Sequence, residues 1–200
     1  MTYELLLALA SFAFVSSITP GPNNLMLMAS GANFGFRRTI PHMLGVGLGF
    51  VLMVVLVGLG LAQVFEVYPF SHTVLMVLSI TYLLYLAWKI ATAAPPADTA
   101  ETAEKRPITF LQAAAFQWVN PKAWTMALTA VTVYAPDKTM LTILMVAVVF
   151  GLINLPAVSS WTVLGQKMRL VLTNPKRLRL FNWLMAGLLI ASLYYPLTMG

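Results

Sequence analysis

Apolar residues run along this chain in six long blocks, 5–28, 40–62, 73–90, 110–135, 140–164 and 181–198. Each approaches or exceeds the roughly 20 residues with which a helix crosses a hydrocarbon core, the third and sixth being the shortest. Block 40–62 carries no Asp, Glu, Lys or Arg. Lipid offers no partner to an open strand edge, so the blocks are predicted to be helices. The expected fold is all-α, a bundle of six transmembrane helices. Composition reinforces this: 60% of residues are hydrophobic, 9% are charged and the mean hydropathy is +0.82. A soluble helical bundle, the competing reading, would need far more charge on its surface.

The connections differ in sign. Arg37 and Arg38 follow the first block, Lys89, Lys105 and Arg106 the third, and Lys167, Arg169, Lys176, Arg177 and Arg179 the fifth. The other two connections hold Glu66, and Asp137 with Lys138. All basic residues except Lys122 and Lys138 thus fall on one side, which the positive-inside rule makes cytoplasmic. With six spans both termini face outward, and are periplasmic in a bacterial inner membrane. The net charge of +6 is explained by these loops and gives no reason to invoke nucleic acid. Residues 1–5 include Glu4 and no Lys or Arg, unlike a signal peptide, so the first block reads as a retained span.

Segment 95–107, rich in Pro, Ala, Thr and Glu, reads as a cytoplasmic linker between three-helix halves at 1–94 and 108–200. Three spans are odd in number, so the second half enters the membrane in the opposite sense. That parity suits a 3+3 inverted repeat. Ser17-Ile18-Thr19-Pro20-Gly21-Pro22-Asn23 in the first span of one half and Trp118-Val119-Asn120-Pro121-Lys122 in the first span of the other echo one another.

Those two segments hold the candidate chemistry. Proline lacks the N–H that would bond the carbonyl four residues back. Pro20, Pro22 and Pro121 are therefore expected to free the carbonyls of Ser16, Ile18 and Gln117, which must then find protein, water or a ligand. Freed carbonyls suit an ammonium, and the half-helix beginning at Gly21 and Pro22 offers N–H groups to a carboxylate. A zwitterionic amino acid meets both needs; a plain kink is the alternative. Asn23, Asn24 and Asn120 would bond such a solute, cap the half-helices or tie helices together. Lys122, deep in its block, would bind a carboxylate or carry a proton, unless it snorkels to water. His42 is the other coupling candidate, although it and His72 read as close to a membrane edge. Asn154-Leu155-Pro156 marks a second polar break in the fifth span. Gly45-Val46-Gly47-Leu48-Gly49 allows close helix approach, within the chain or against a second copy.

No Asp or Glu falls mid-span, which disfavours a strongly basic solute and a carboxylate proton relay. Cysteine is absent, and no metal-ligand, P-loop, dinucleotide or hydrolase signature occurs. No cofactor, metal or enzymatic activity is expected, and ATP cannot be the energy source of this chain by itself. A passive channel and a non-transporting scaffold remain as alternatives to a transporter.

Thr19-Pro20-Gly21-Pro22-Asn23-Asn24, with Gly31, Gly35, Gly45 and Gly49, resembles the LysE/RhtB family of amino-acid exporters. The resemblance continues at Tyr85-Leu86-Ala87-Trp88-Lys89 and at Phe116-Gln117-Trp118-Val119-Asn120-Pro121-Lys122, and so spans the chain. It implies export of amino acids or derivatives from the cytoplasm, driven by the proton gradient, and the lack of acidic residues mid-span points to neutral ones. Pro22-Asn23-Asn24, Leu48-Gly49-Phe50 and 87–92 are most similar to the cysteine/O-acetylserine exporter branch.

Overall fold

The computed structural model describes residues 1–93 and 106–192. The linker expected at 95–107 lies outside these but for Arg106 and Pro107, as does the end of the sixth block. The described residues form helices and the short connections between them. The helices are α1 (Tyr3–Ile18), α2 (Pro22–Phe34), α3 (Phe36–Leu56, continued by a π-turn at Val57–Leu61), α4 (Gln63–Val67), α5 (Phe70–Ala91), α6 (Phe110–Val119), α7 (Pro121–Tyr134), α8 (Met140–Met168) and α9 (Pro175–Ala191).

Two of the expected spans are broken where their prolines fall. Between α1 and α2 the backbone is extended at Thr19 and Gly21, and the two helices bend by 55°. Between α6 and α7 it is extended at Asn120 alone. In both cases proline takes the first position of the new helix, where a missing N–H costs nothing. At 1.5 Å per residue α1 rises ~24 Å and α2 ~20 Å, which sets the first break near the middle of the pair. The fifth span is different: α8 runs unbroken through Pro156, so no second break exists at Asn154.

Among the described residues α3 with its π-turn, α5 and α8 are each long and apolar enough to cross a bilayer, and the bent pair of α1 and α2 has the length and composition for a fourth crossing if the two form one span. The chain is an all-helical membrane protein with several apolar spans.

Helices in lipid attract one another by contact and hydrogen bonding, so small residues set how close they come. α2 lies against α8, and a Cβ on Gly165 would strike the carbonyl of Met28 while one on Gly31 would strike that of Thr162. α3 lies against α6 through Gly45 and Gly49, which face Phe110, Ala113 and Ala114. The glycine face of the second span is therefore used within the chain and is not open to a second copy. The connection from α2 to α3 is the single residue Gly35, at φ 80° and ψ 170°, a region only glycine enters readily.

The core divides in two. One cluster joins Leu25, Met26, Val46, Leu86, Phe116 and Val158 with the buried side of α9. The other joins Leu9, Ala13, Phe50, Ala123, Tyr134 and Phe150. Every element that contributes to both changes cluster at the same level: between Val46 and Phe50 on α3, Phe150 and Val158 on α8, and at the two helix breaks. The first cluster lies toward the basic connections and the second toward Glu4, Glu66 and Asp137.

Candidate functional site

A polar layer separates the two apolar clusters, and both helix breaks open into it. Asn23 on α2 and Gln117 on α6 exchange amide hydrogen bonds, Asn23 Nδ2 donating to Gln117 Oε1 at 2.9 Å and Gln117 Nε2 to Asn23 Oδ1 at 3.2 Å. Lys122, at the start of α7, reaches the other break: its ammonium donates to Thr19 O at 2.8 Å, Thr19 Oγ1 at 2.9 Å and Pro20 O at 3.3 Å. Those three acceptors match the three donors of an ammonium. Its positive charge rests on the C-terminal end of α1, where the helix dipole favours a cation. Gly21 leaves room for this lysine, since a Cβ there would lie 2.9 Å from Lys122 Cδ.

A cavity of about 20 Å³, room for a single water, lies among Ser16, Ser17, Gly21, Asn23, Asn24, Gln117, Asn120, Lys122 and Asn154, with Val46, Phe50, Ala123, Met126 and Val158 as its apolar wall. The N-termini of α2 and α7 both border it. Gly21 gives α2 no side-chain cap, whereas Asn120 Oδ1 accepts from the backbone N–H of Lys122 at 3.1 Å.

Of the residues singled out in the sequence, Ser16, Gly21, Asn23, Asn24, Gln117, Asn120 and Lys122 line this cavity. Ile18, Pro20, Pro22 and Pro121 do not: Pro22 is buried in packing, and Thr19 and Pro20 lie exposed on the flank of the bundle. The freed carbonyls already have partners. Ser16 O accepts from Thr19 Oγ1, Ile18 O from Trp161 Nε1 on α8 and Gln117 O from the N–H of Asn120. Asn24 Nδ2 serves Ser17 O and Thr19 O. Of the partners open to these carbonyls, protein, water or a ligand, it is protein that serves them here. His42, read from the sequence as close to a membrane edge, is turned inward. It is wholly buried, with neither ring nitrogen bonded, and lies outside the cavity.

Sequence reasoning missed what Asn154 and Ser17 contribute. Asn154 Nδ2 donates to Ser17 Oγ at 2.9 Å, and its buried Oδ1 accepts no hydrogen bond. That oxygen is the unpaired acceptor of the layer. Its signal was present as an asparagine in the middle of the charge-free block 140–164, but it was read as a backbone break. Asn33 and Asn182, another reciprocal amide pair at 2.6 and 2.9 Å, tie α2 to α9 nearer the basic end.

No group of His, Asp or Glu among the described residues is arranged to hold a metal ion. The layer offers N–H dipoles and one ammonium for a negative group and amide oxygens for a positive one, with no nucleophile and base set to react.

Residues 14–194 match the family described as LysE type translocator. The cysteine/O-acetylserine efflux protein of Salmonella typhimurium is 35% identical over 142 residues, covering 70% of each chain. The protein of that name from Escherichia coli O1:K1 is 31% identical over 139 residues, again 70% of each. No solved structure matches the chain. With a family match across nearly its whole length and apolar helices of membrane-crossing length, the chain belongs to the LysE type translocator family and is a multi-pass membrane transporter.

Proposed function

We propose that this protein is a secondary exporter of small neutral amino acids or their derivatives in the bacterial inner membrane, with the polar layer between the two apolar clusters as its solute site. The observation that carries the reading is the meeting of the two helix breaks through the Asn23–Gln117 pair and the Lys122 bridge. In a transporter of inverted halves, such broken helices hold the solute near the midplane. The packing supports halves at 1–94 and 108–200: the broken span of each lies on the long helix of the other, α1 and α2 on α8, α6 and α7 on α3, while α5 meets α9.

The solute's carboxylate turns to the uncapped N-terminus of α2 and to Lys122, and its ammonium to Asn154 Oδ1. Ser16, Asn24 and Asn120 complete the rim. With no carboxylate in the layer, a second positive charge on the solute has no partner, which selects neutral side chains. The relatives named for efflux of cysteine and O-acetylserine support the same class. A cavity sized for one water holds no amino acid, so entry requires the two halves to part. The Asn23–Gln117 and Lys122 bonds are then exchanged for bonds to the solute. The basic end is cytoplasmic and both termini are periplasmic. The proton gradient drives export, with Lys122 carrying the proton at the site and buried His42 as the second coupling candidate.

Purified protein in proteoliposomes tests this. The expected result is saturable efflux of O-acetyl-L-serine or cysteine, accelerated by a proton gradient and abolished by Lys122→Met. Efflux equal to that of protein-free liposomes refutes it, and non-saturable efflux indifferent to the gradient identifies a pore instead.

A further inference from the structure

A second and much larger cavity, about 280 Å³, opens at the basic end of the bundle. It approaches the lower bound of about 300 Å³ common for small-molecule sites. Met26, Ser30 and Asn33 of α2 form one wall, Trp88 and Lys89 of α5 another, and Arg106 stands ahead of α6. Nothing in the solute site described above uses these residues.

The chemistry of this cavity is one-sided. Lys89 and Arg106 bring two cations to it, and among the described residues no Asp or Glu lines it. Lys89 Nζ has one partner, Gln112 Oε1 at 3.1 Å, and Arg106 has none among the described residues. Asn33 is held still by Asn182 and Ala29 O, and Ser30 by Thr39, so the α2 wall is preformed. Trp88 adds an aromatic surface at the mouth, 63% exposed. Two cations beside an apolar wall suit a small solute bearing a carboxylate.

Its position gives it a role. Asn23, Met26, Ser30 and Asn33 stand at i, i+3, i+7 and i+10 on α2 and so form one stripe. The stripe leads from the midplane site to this cavity, and over the ten residues from Asn23 to Asn33 it rises ~15 Å. Met26, 1% exposed, fills the stripe between the two, and its unbranched thioether can change rotamer at little cost.

We infer that this cavity is a second binding station, facing the cytoplasm, which takes the carboxylate of an outgoing solute on Lys89 and Arg106 before it passes Met26 to the midplane site. The inference rests on the exporter reading for its direction, and on the cavity alone for its ligand class.

The test uses the full-length protein in two ways. In detergent, tryptophan fluorescence is titrated with O-acetyl-L-serine and with its methyl ester. The acid is expected to give a saturable change that Trp88→Phe removes, and the ester none. Arg106→Gln and Lys89→Gln should each weaken the acid by about tenfold, the loss of one charge-assisted bond. Lys122→Met should leave this binding intact. In proteoliposomes the same two variants should raise the half-saturating concentration at the cytoplasmic face only, with the maximal rate within about twofold of wild type. A fluorescence response equal for acid and ester, or unchanged affinity in the Arg106→Gln/Lys89→Gln double variant, overturns the station. An equal rise at both faces does so too. Trp88-dependent binding of the acid without any transport would instead uphold the station and refute the exporter.

Discussion

The Asn23–Gln117 pair permits a quantitative test of how the two broken helices are joined. Replacing either residue by alanine removes both inter-helix bonds, at 2.9 and 3.2 Å. Hydrogen bonds between membrane helices are worth about 0.6 kcal/mol on average and at most about 1.7. Two bonds in one reciprocal pair should therefore couple by ~1–3 kcal/mol. The single variants should not be equal. Gln117→Ala strands Asn23, which has no other side-chain bond, whereas after Asn23→Ala the Gln117 amide still donates to Ala113 O at 2.9 Å. Gln117→Ala is expected to be the more costly by up to ~1 kcal/mol, because an orphaned amide adds its desolvation cost. The assay is a double-mutant cycle of reversible unfolding in bicelles. Additivity within ~0.3 kcal/mol, the behaviour of independent sites, would refute the pairing and with it the joined breaks.

Other consequences follow from single contacts. Gly165→Val should prevent α2 and α8 from closing, since the added Cβ meets the Met28 carbonyl; the expected result is loss of folded protein from detergent extracts by size-exclusion chromatography. Gly35→Ala strains the one-residue turn at φ 80° and should cost ~1–3 kcal/mol, seen as a lowered midpoint of thermal unfolding. Trp161→Phe removes the donor to Ile18 O at 3.1 Å and should cost ~1 kcal/mol by the same measurement, with membrane insertion unchanged. Asn154→Leu should fold and insert as wild type but lose export of zwitterionic amino acids in proteoliposomes, since it removes the buried unpaired oxygen proposed to accept the ammonium.

Much of the fold was legible in the sequence because its rules are local. Charge-free blocks of bilayer length must be helices, and Pro20, Pro22 and Pro121 each remove a hydrogen bond from the ladder. The breaks accordingly fall where proline puts them. The partners of the freed groups were not legible, because a missing N–H says what is lost and not what replaces it. Trp161 serves a carbonyl 143 positions away, and Asn24 folds back on two carbonyls of its own break. Pro156 shows the converse: its neighbours carry α8 past a residue that broke the other two spans. His42 was misplaced because apolar periodicity gives depth along a helix more readily than the face that is turned inward. The candidate site was half visible: its polar residues on the two broken spans stood out, but Asn154 and Ser17 join it only through the packing of α1 on α8.

The central claim is that the layer where the two breaks meet is the place the transported solute occupies. The chain has no cysteine, so a single Met126→Cys on the apolar wall of the cavity reports on that place alone. Its rate of modification by a small water-soluble thiol reagent is measured from each face of reconstituted membranes, with and without saturating O-acetyl-L-serine. The account predicts that the reagent reaches the thiol from both faces and that the solute slows it strongly. Modification at the same rate with and without solute would contradict it.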